Sequence, residues 1–352
     1  MKKTILVTGG LGYIGSHTVV ELQESNYNVI VVDNLSNSIR EVTERITSIT
    51  GQPVKLYIAD INDDLSLSAL FKKEVIDGVI HFAAHKAVGE SVQNPFKYYR
   101  NNIDGMISLQ RIMHQFHVRT LVFSSSCTVY GDTGHSPISE THPVTEAISP
   151  YGTTKLVCEQ ILKDLCRYSG FKGVILRYFN PVGAHPSASI GELPLGVPDN
   201  LVPFITQTAA GIREKLTVFG NDYNTADGTN IRDYIHVVDL ARAHVKSLDY
   251  AFRMNQDYEI FNLGTGKGHS VLEVIKTFEQ ASGMVLPYVI GARRTGDVEQ
   301  IWADATKAVQ LLKWTPQYNL LDMMKTAWKW QLALAESGKN ESATENQETT
   351  SR

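Results

Sequence analysis

The chain has 352 residues, 43% hydrophobic and 20% charged, the balance of a globular protein with a sizeable core and room for two domains. Its 33 Lys and Arg against 37 Asp and Glu leave a net charge of −4, which points away from nucleic acid and anionic membranes as partners. No apolar run approaches the roughly 20 residues of a membrane span. Cys127, Cys158 and Cys166 are odd in number and lack metal-ligand spacing, so we expect a reducing, cytoplasmic setting with neither disulfide nor metal site.

The basic and then apolar opening, residues 1–7, stops at Thr8-Gly9-Gly10, too short for the apolar core of a signal peptide. Thr4–Thr8 instead predicts a buried strand. Gly9, Gly12 and Gly15 follow at once and open a helix to about Glu21. A second strand, Asn28–Val32, ends on Asp33. Glycines at that junction let the turn tighten and the backbone approach a pyrophosphate, which the free N–H groups of the helix start would face. Asp33 stands about 18 residues beyond Gly15, where a carboxylate meets ribose hydroxyls. It would repel a 2′-phosphate, favouring NAD over NADP. The spacing Gly-x-x-Gly-x-x-Gly departs from the dinucleotide fingerprint by one residue. With strand, helix, strand and acid all in place, nucleotide binding outweighs a turn used only for packing.

Leu56–Ile61 predicts a third strand ending on Asp60, which the sequence leaves evenly poised between an adenine contact and a strand-end turn. Val75–Phe82 predicts a fourth, with Lys86 just past its C-terminal end, where open α/β sheets bind ligands. His81 reads as a satisfied strand-end histidine, and His85 has no evident partner. Asn101-Asn102 open a helical segment to about His117. Thr120–Phe123 is the next strand and ends in Ser124-Ser125-Ser126, hydroxyls placed at the crevice. Strands alternating with helices predict a doubly wound parallel sheet with right-handed crossovers. After a further strand, Val174–Phe179, glycine and proline become dense through Pro203. We therefore expect a dinucleotide-binding domain over 1–180, a substrate domain over 181–336 and a disordered polar tail over 337–352. The second portion holds strands at Lys215–Phe219 and Glu259–Leu263. Gly264–Gly268 lacks the Gly-Lys-Ser/Thr ending of a phosphate-binding P-loop. Arg232 and Arg294 are candidates for a diphosphate clamp, against the commoner fate of surface salt bridges.

Tyr151-Gly152-Thr153-Thr154-Lys155 opens a helix after Pro150 and carries the chemistry. Residues four apart share a helix face. An ammonium beside a phenol lowers its pKa from about 10, which brings proton transfer toward the working pH. Such pairs are common by chance. Behind a dinucleotide-binding turn and a serine-rich strand end, this one reads as catalytic.

Thr8–His17, His81-Phe82-Ala83, Lys86–Ser91, Phe123–Ser126, Ser149–Gly152, Arg177–Pro186, Phe219–Tyr223 and Arg232–His236 together resemble the UDP-glucose 4-epimerase family of extended short-chain dehydrogenases, to about Trp330. The resemblance implies a Rossmann domain with a smaller C-terminal α/β substrate domain, part of which packs back on the first. It implies bound NAD, a UDP-hexose substrate and a homodimer formed through helices near Asn101 and the Tyr151 helix. Tyr151, directly or through Ser126, takes the proton of the sugar 4-hydroxyl. Hydride passes from C4 to the nicotinamide, and the 4-keto sugar turns over and receives it on the other face. Lys155 lowers the Tyr151 pKa and holds the nicotinamide ribose.

On the cofactor side the family pattern puts Gly9, Gly12, Tyr13, Ile14 and Gly15, then Asp33, Asn34, Asp60 and Ile61. Phe82, Ala83, Lys86 and Asn101 follow, with Tyr151, Lys155 and Phe179. On the sugar-nucleotide side it puts Lys86, Ser126, Thr128, Asn180, Asn200 and Leu201, then Phe219, Arg232, Arg294, Asp297 and Ile301; Phe179 belongs to both. Ile301 stands where glucose-specific bacterial members carry Tyr, a departure shared with members that also accept N-acetylated sugars. Cys127 stands where Ala is common. Related 4,6-dehydratases and decarboxylases place an acid in the stretch occupied here by Ser126-Cys127-Thr128, and non-catalytic NAD-binding relatives lose the Tyr/Lys pair. Both alternatives are thereby disfavoured.

Overall fold

The computed structural model describes residues 2–144, 147–294 and 297–350, with side chains as far as Glu336. Its centre is a seven-stranded sheet, all parallel, in the order β10-β6-β5-β4-β1-β2-β3. The strands are β1 (Thr4–Thr8), β2 (Asn28–Asp33), β3 (Lys55–Ile58), β4 (Gly78–His81), β5 (Thr120–Ser124), β6 (Lys172–Tyr178) and β10 (Tyr258–Leu263). They are short and rich in Val, Ile and Leu because helices cover both faces and leave no solvated side to alternate toward. One face buries Val7, Val31, Ile80, Val122 and Leu176 against α1 (Tyr13–Glu24) and α9 (Val237–Ala251). The other buries Leu6, Val79, Leu121, Phe123 and Ile175 against α3 (Asp64–Lys73), α6 (Gly105–Gln115) and α7 (Pro150–Ser169).

One strand of this sheet comes from the second portion of the chain. The strand expected at Glu259–Leu263 belongs by sequence to the second portion, yet β10 pairs with β6 in register Glu259 to Val174. Helix α9 likewise packs on α1. The remaining second portion builds two small sheets. In one, β9 (Ile231–His236) pairs with β7 (Asn180–Val182), β11 (Gly268–Ser270) and β13 (Gln300–Ile301). In the other, β8 (Leu216–Phe219) pairs with β12 (Tyr288–Gly291). Their core lies under α8 (Leu201–Ala209), α10 (Val271–Ser282) and α12 (Leu320–Thr350). The tail expected over 337–352 falls outside the residues described with side chains. No helix among the described residues is long and apolar enough to cross a membrane.

Helix α7 begins with Ser149 as N-cap, its hydroxyl accepting from Gly152 N, and with Pro150 at the first turn. Both choices satisfy or remove amide donors that a helix start leaves free. The predicted helix from Asn101 differs in detail: Tyr99–Asp104 is a π-helical turn before α6. The wider turn goes with Asn102 pointing into the core, where it serves the site described below.

Four buried histidines set the acid response. Burial pushes His17, His81 and His236 each down to about 3 and His244 to about 4. Below pH 6.5 the unfolded chain takes up these protons and the folded chain does not. Stability should therefore fall as pH drops from about 6.5 toward 3, each group contributing about 1.4 kcal/mol per pH unit. Urea midpoints between pH 7 and pH 5 check this, with a slope shallower by about one proton in His17→Gln. An unchanged slope would mean that His17 charges within the folded protein.

Candidate active site

The turn after β1 opens a cleft of 930 Å3 at the C-terminal edge of the large sheet. Gly9 has φ +68°, and a Cβ there would stand 2.8 Å from Ala83 N; at Gly15 a Cβ would run into the carbonyl oxygen of Gly9. Only glycine lets the first helix and the strand-end loop come this close. Gly12, Tyr13 and Ile14 join Gly9 and Gly15 on the wall. Asp33 holds the turn from the next strand: its carboxylate accepts from Leu11 N at 3.0 Å, Leu35 N at 3.0 Å and Ser38 Oγ at 2.8 Å.

Asn34, Ile61, Phe82, Ala83, Lys86 and Asn101 line the same cleft. Asp60 stands just behind that wall: its carboxylate accepts from Asn62 N at 2.8 Å and from the wall residue Asn34, through Nδ2, at 2.9 Å. His81 meets the hydroxyl of Thr8 through Nδ1 at 2.7 Å. The backbone of His85 has a partner that sequence did not reveal. Asn102 Oδ1 accepts from His85 N at 2.9 Å, and Nδ2 donates to His85 O and to Thr154 Oγ1, each at 3.0 Å. One buried amide thus ties the Lys86 loop to α7.

At the inner end of the cleft, Tyr151 and Lys155 face each other along α7. Lys155 Nζ donates to Ser124 O at 2.7 Å and lies 5.8 Å from the centre of the Tyr151 ring. Burial lowers Lys155 to about 8. The expected lowering of Tyr151 is not the net result. Burial, reinforced by the neighbouring Tyr178 phenol, holds Tyr151 well above 10, while a hydrogen bond with Ser126 pulls the other way. Desolvation opposes an anion here more strongly than the ammonium at that distance favours it. Ser126 accepts from Thr128 N at 3.2 Å and caps a short 3₁₀ turn, Cys127–Tyr130. With its oxygen engaged by that amide, its own proton is free to point at Tyr151. Burial pushes the Cys127 thiol up to about 12, so it stays protonated and inert.

A second cleft, of 1320 Å3, lies one dipeptide away along the chain: Tyr178 lines the first and Asn180 the second. Asn200, Leu201, Phe219, Arg232, Arg294 and Asp297 line it, bringing together residues up to 117 positions apart. Arg294 binds Asp297 bidentately at 2.9 and 3.1 Å, and Arg232 approaches the same carboxylate at 3.8 Å. Two guanidinium groups are thus gathered at one edge, the arrangement a diphosphate needs. Phe179, Ile301, Thr128 and Ser126 are not on either wall. Phe179 and Ile301 are buried together with Val129, Tyr130 and Ile138 in one apolar cluster. The Gly264–Gly268 loop has its amides occupied: Thr265 N and Gly266 N donate to the Asp233 carboxylate at 2.8 and 3.1 Å.

Sequence reasoning missed Tyr178 and the run Ser36-Asn37-Ser38 on the cleft wall. The last had a signal, small polar residues directly after an acid-ended strand. It also missed Glu192, which accepts from Lys86 Nζ at 2.9 Å and Asn200 Nδ2 at 2.7 Å and so joins the two clefts. Nothing local marks that glutamate.

A doubly wound sheet with a glycine turn, an acid-ended second strand and a Tyr–Lys pair on the wall of the cleft they open defines an extended short-chain dehydrogenase that handles nucleotides. The family model described as GDP-mannose 4,6 dehydratase matches residues 6–327. The chain is 52% identical to a UDP-glucose 4-epimerase of Dictyostelium discoideum, over 93% of this chain and 95% of that one. It superposes on the crystal structure of UDP-glucose-4-epimerase from Stenotrophomonas maltophila with bound NAD and formylated UDP-arabinopyranose, with a TM-score of 0.93 and 49% identity, covering 95% and 99% of the two chains. The UDP-Glc/GlcNAc 4-epimerase of Campylobacter jejuni is also similar, with a TM-score of 0.82 and 38% identity over 94% and 99%. The chain belongs to this family and, within it, to the UDP-glucose 4-epimerases.

Proposed function

We infer that this protein interconverts UDP-glucose and UDP-galactose by reversible oxidation at C4, with NAD held in the first cleft and the UDP-sugar in the second. The observation that carries this is the Tyr151–Lys155 pair on the wall of the first cleft, with Ser126 bearing on the Tyr151 phenol. The first cleft fits a dinucleotide because its two closest approaches of backbone to backbone tolerate no Cβ and Asp33 rather than a cation ends the second strand. When bound, NAD supplies the acceptor for hydride from C4 and the donor that returns it, and its cationic ring opposes the burial that keeps the Tyr151 proton in place.

The chain's own residues hold and move the proton. Tyr151 takes it from the 4-hydroxyl, with the Ser126 hydroxyl and the Lys155 ammonium favouring the phenolate, and gives it back when the sugar is reduced on its other face. Arg232 and Arg294 hold the diphosphate, so that the hexose alone can turn between them and Tyr151. The absence of an acid at Ser126-Cys127-Thr128 favours epimerisation over the elimination that the dehydratase description of the family model suggests. Residues 1–180 with α9 and β10 form the cofactor half and the rest of 181–336 the sugar-nucleotide half.

Incubation of the purified protein with UDP-galactose, without added NAD, tests the reading by NMR of the products. UDP-glucose without net NADH is expected. A 4-keto-6-deoxy product would mean dehydratase chemistry, and no turnover even with NAD supplied would overturn the reading. A second reading, activity on N-acetylated UDP-hexoses as well, is favoured by Ile301 in place of Tyr. UDP-N-acetylgalactosamine as substrate tests it. Failure to turn over, with activity gained in Ile301→Cys, would sink it.

The protein works as a homodimer in the cytoplasm. Three free thiols fit a reducing compartment. Val92, Phe96 and Ile107 are exposed on α4 (Val88–Gln93), α5 (Pro95–Tyr98) and α6, with Phe96 at 83%, an apolar surface of the kind a second copy covers. Light scattering should give twice the 39.1 kDa of one chain, and Phe96→Glu should shift it to the monomer. A wild-type monomer at micromolar concentration would refute the dimer.

A further inference from the structure

Helix α7 grips the serine run at the end of β5 at successive residues from one face. Lys155 Nζ takes the backbone oxygen of Ser124 at 2.7 Å. One turn further on, Glu159 Oε1 accepts from Ser125 Oγ at 2.7 Å. One turn before Lys155 stands Tyr151, whose phenol the Ser126 hydroxyl pulls toward the anion. Tyr151, Lys155 and Glu159 are spaced by four and so lie along a single stripe of the helix.

Glu159 is itself immobile. Arg177 of β6 binds it bidentately, Nε to Oε1 at 2.9 Å and Nη2 to Oε2 at 2.6 Å, and the two side chains are 3% and 1% exposed. Lys163 Nζ adds a bond to Oε2 at 3.3 Å, and the Arg177 guanidinium lies 4.8 Å from the centre of the Tyr130 ring. At Ser125 the amide N–H donates to Leu176 O at 2.9 Å. With both its amide and its hydroxyl held, Ser125 can pass little motion to Ser126 except about the two dihedrals flanking one planar peptide unit. The Ser126 hydroxyl is then held by the amide of Thr128.

We propose that Glu159, clamped by Arg177, is a positioning residue for proton transfer: through Ser125 it sets where the Ser126 hydroxyl stands against Tyr151. This rests on the reading of Ser126 and Tyr151 as the proton-transfer pair. A buried ion pair alone accounts for stability. It does not account for a fully buried serine hydroxyl, one residue from the catalytic one, tied to the same carboxylate.

Ser125→Ala tests the tie, because it leaves Glu159 and Arg177 paired and no acceptor stranded. Its kcat for UDP-galactose should fall about tenfold with KM unchanged, since a misplacement of an ångström at the reacting group costs one to two orders of magnitude. Its melting temperature should stay within about 2 °C of wild type. The limb of the kcat–pH profile set by Tyr151 should move to higher pH, because Ser126 no longer donates squarely to the phenolate. In a Ser126→Ala background, Ser125→Ala should cost nothing further. Wild-type kcat and pH profile in Ser125→Ala, or an equal loss in the Ser126→Ala background, would overturn the proposal. Undiminished activity in Tyr151→Phe would instead overturn the proton-transfer reading beneath it.

Discussion

Tyr151→Phe is expected to lower kcat for UDP-galactose by about a thousandfold, within the range that loss of a positioned general acid–base group produces. The substitution removes one oxygen from a ring that is 6% exposed and leaves the α7 backbone, its Ser149 cap and Lys155 untouched. NAD content after purification and the affinity for UDP should therefore stay near wild type, because the dinucleotide turn and the arginine edge lie elsewhere. The loss should fall on kcat and kcat/KM alike, the signature of an interaction made at the reacting centre. Steady-state kinetics with UDP titration by calorimetry separates the outcomes. A loss confined to KM would move Tyr151 from chemistry to binding.

The phenol's environment makes the pH dependence of that step informative. Burial holds Tyr151 protonated to well above pH 10, while Ser126 pulls it down. A group that must both take and return a proton gains from being poised between these influences. The second charge is Lys155, lowered by burial to about 8, so its ammonium begins to be lost just above neutrality and its support for the phenolate goes with it.

The largest expected effect on stability comes from the other end of the same stripe. Arg177→Met should lower the free energy of unfolding by about 3–5 kcal/mol, the cost of leaving a buried carboxylate without its partner. Glu159 would retain Ser125 and the more distant Lys163, neither of which replaces a bidentate guanidinium. Urea unfolding followed by circular dichroism measures this. The double variant Glu159→Met with Arg177→Met should recover much of the stability, since an apolar pair of similar volume often serves a core as well as an ion pair. It should not recover the activity, because Ser125 has then lost its acceptor. A single variant as stable as wild type would mean that water reaches the carboxylate.

Much of this protein can be read along the chain because its devices are local. The strand, glycine turn, helix and acid from Thr4 to Asp33 lie within thirty or so residues, and each step follows from backbone geometry. Tyr151 and Lys155 meet because a helix brings every fourth residue to one face. Composition and alternation of elements were sufficient for the doubly wound sheet, since parallel strands need helical crossovers. The family resemblance carried Asn180, Asn200, Phe219, Arg232, Arg294 and Asp297 to one cleft wall, where the structure brings them together.

What the chain order could not determine are pairings across long separations and the balance of solvation. That β10 completes the first sheet depends on which edge was left open by β6, a property of the assembled sheet. Asp60 turned to Asn34 and Asn62 because both stood within reach at the strand end. Glu192 joins Lys86 to Asn200, and Asn102 joins His85 to Thr154, through contacts that exist only once the elements have packed. The same holds for Tyr151: sequence placed a cation four residues away and so a lowered phenol, whereas the depth at which α7 is buried decided that desolvation outweighs it. Spacing determines which groups can meet, and the fold, through burial, determines what their meeting costs.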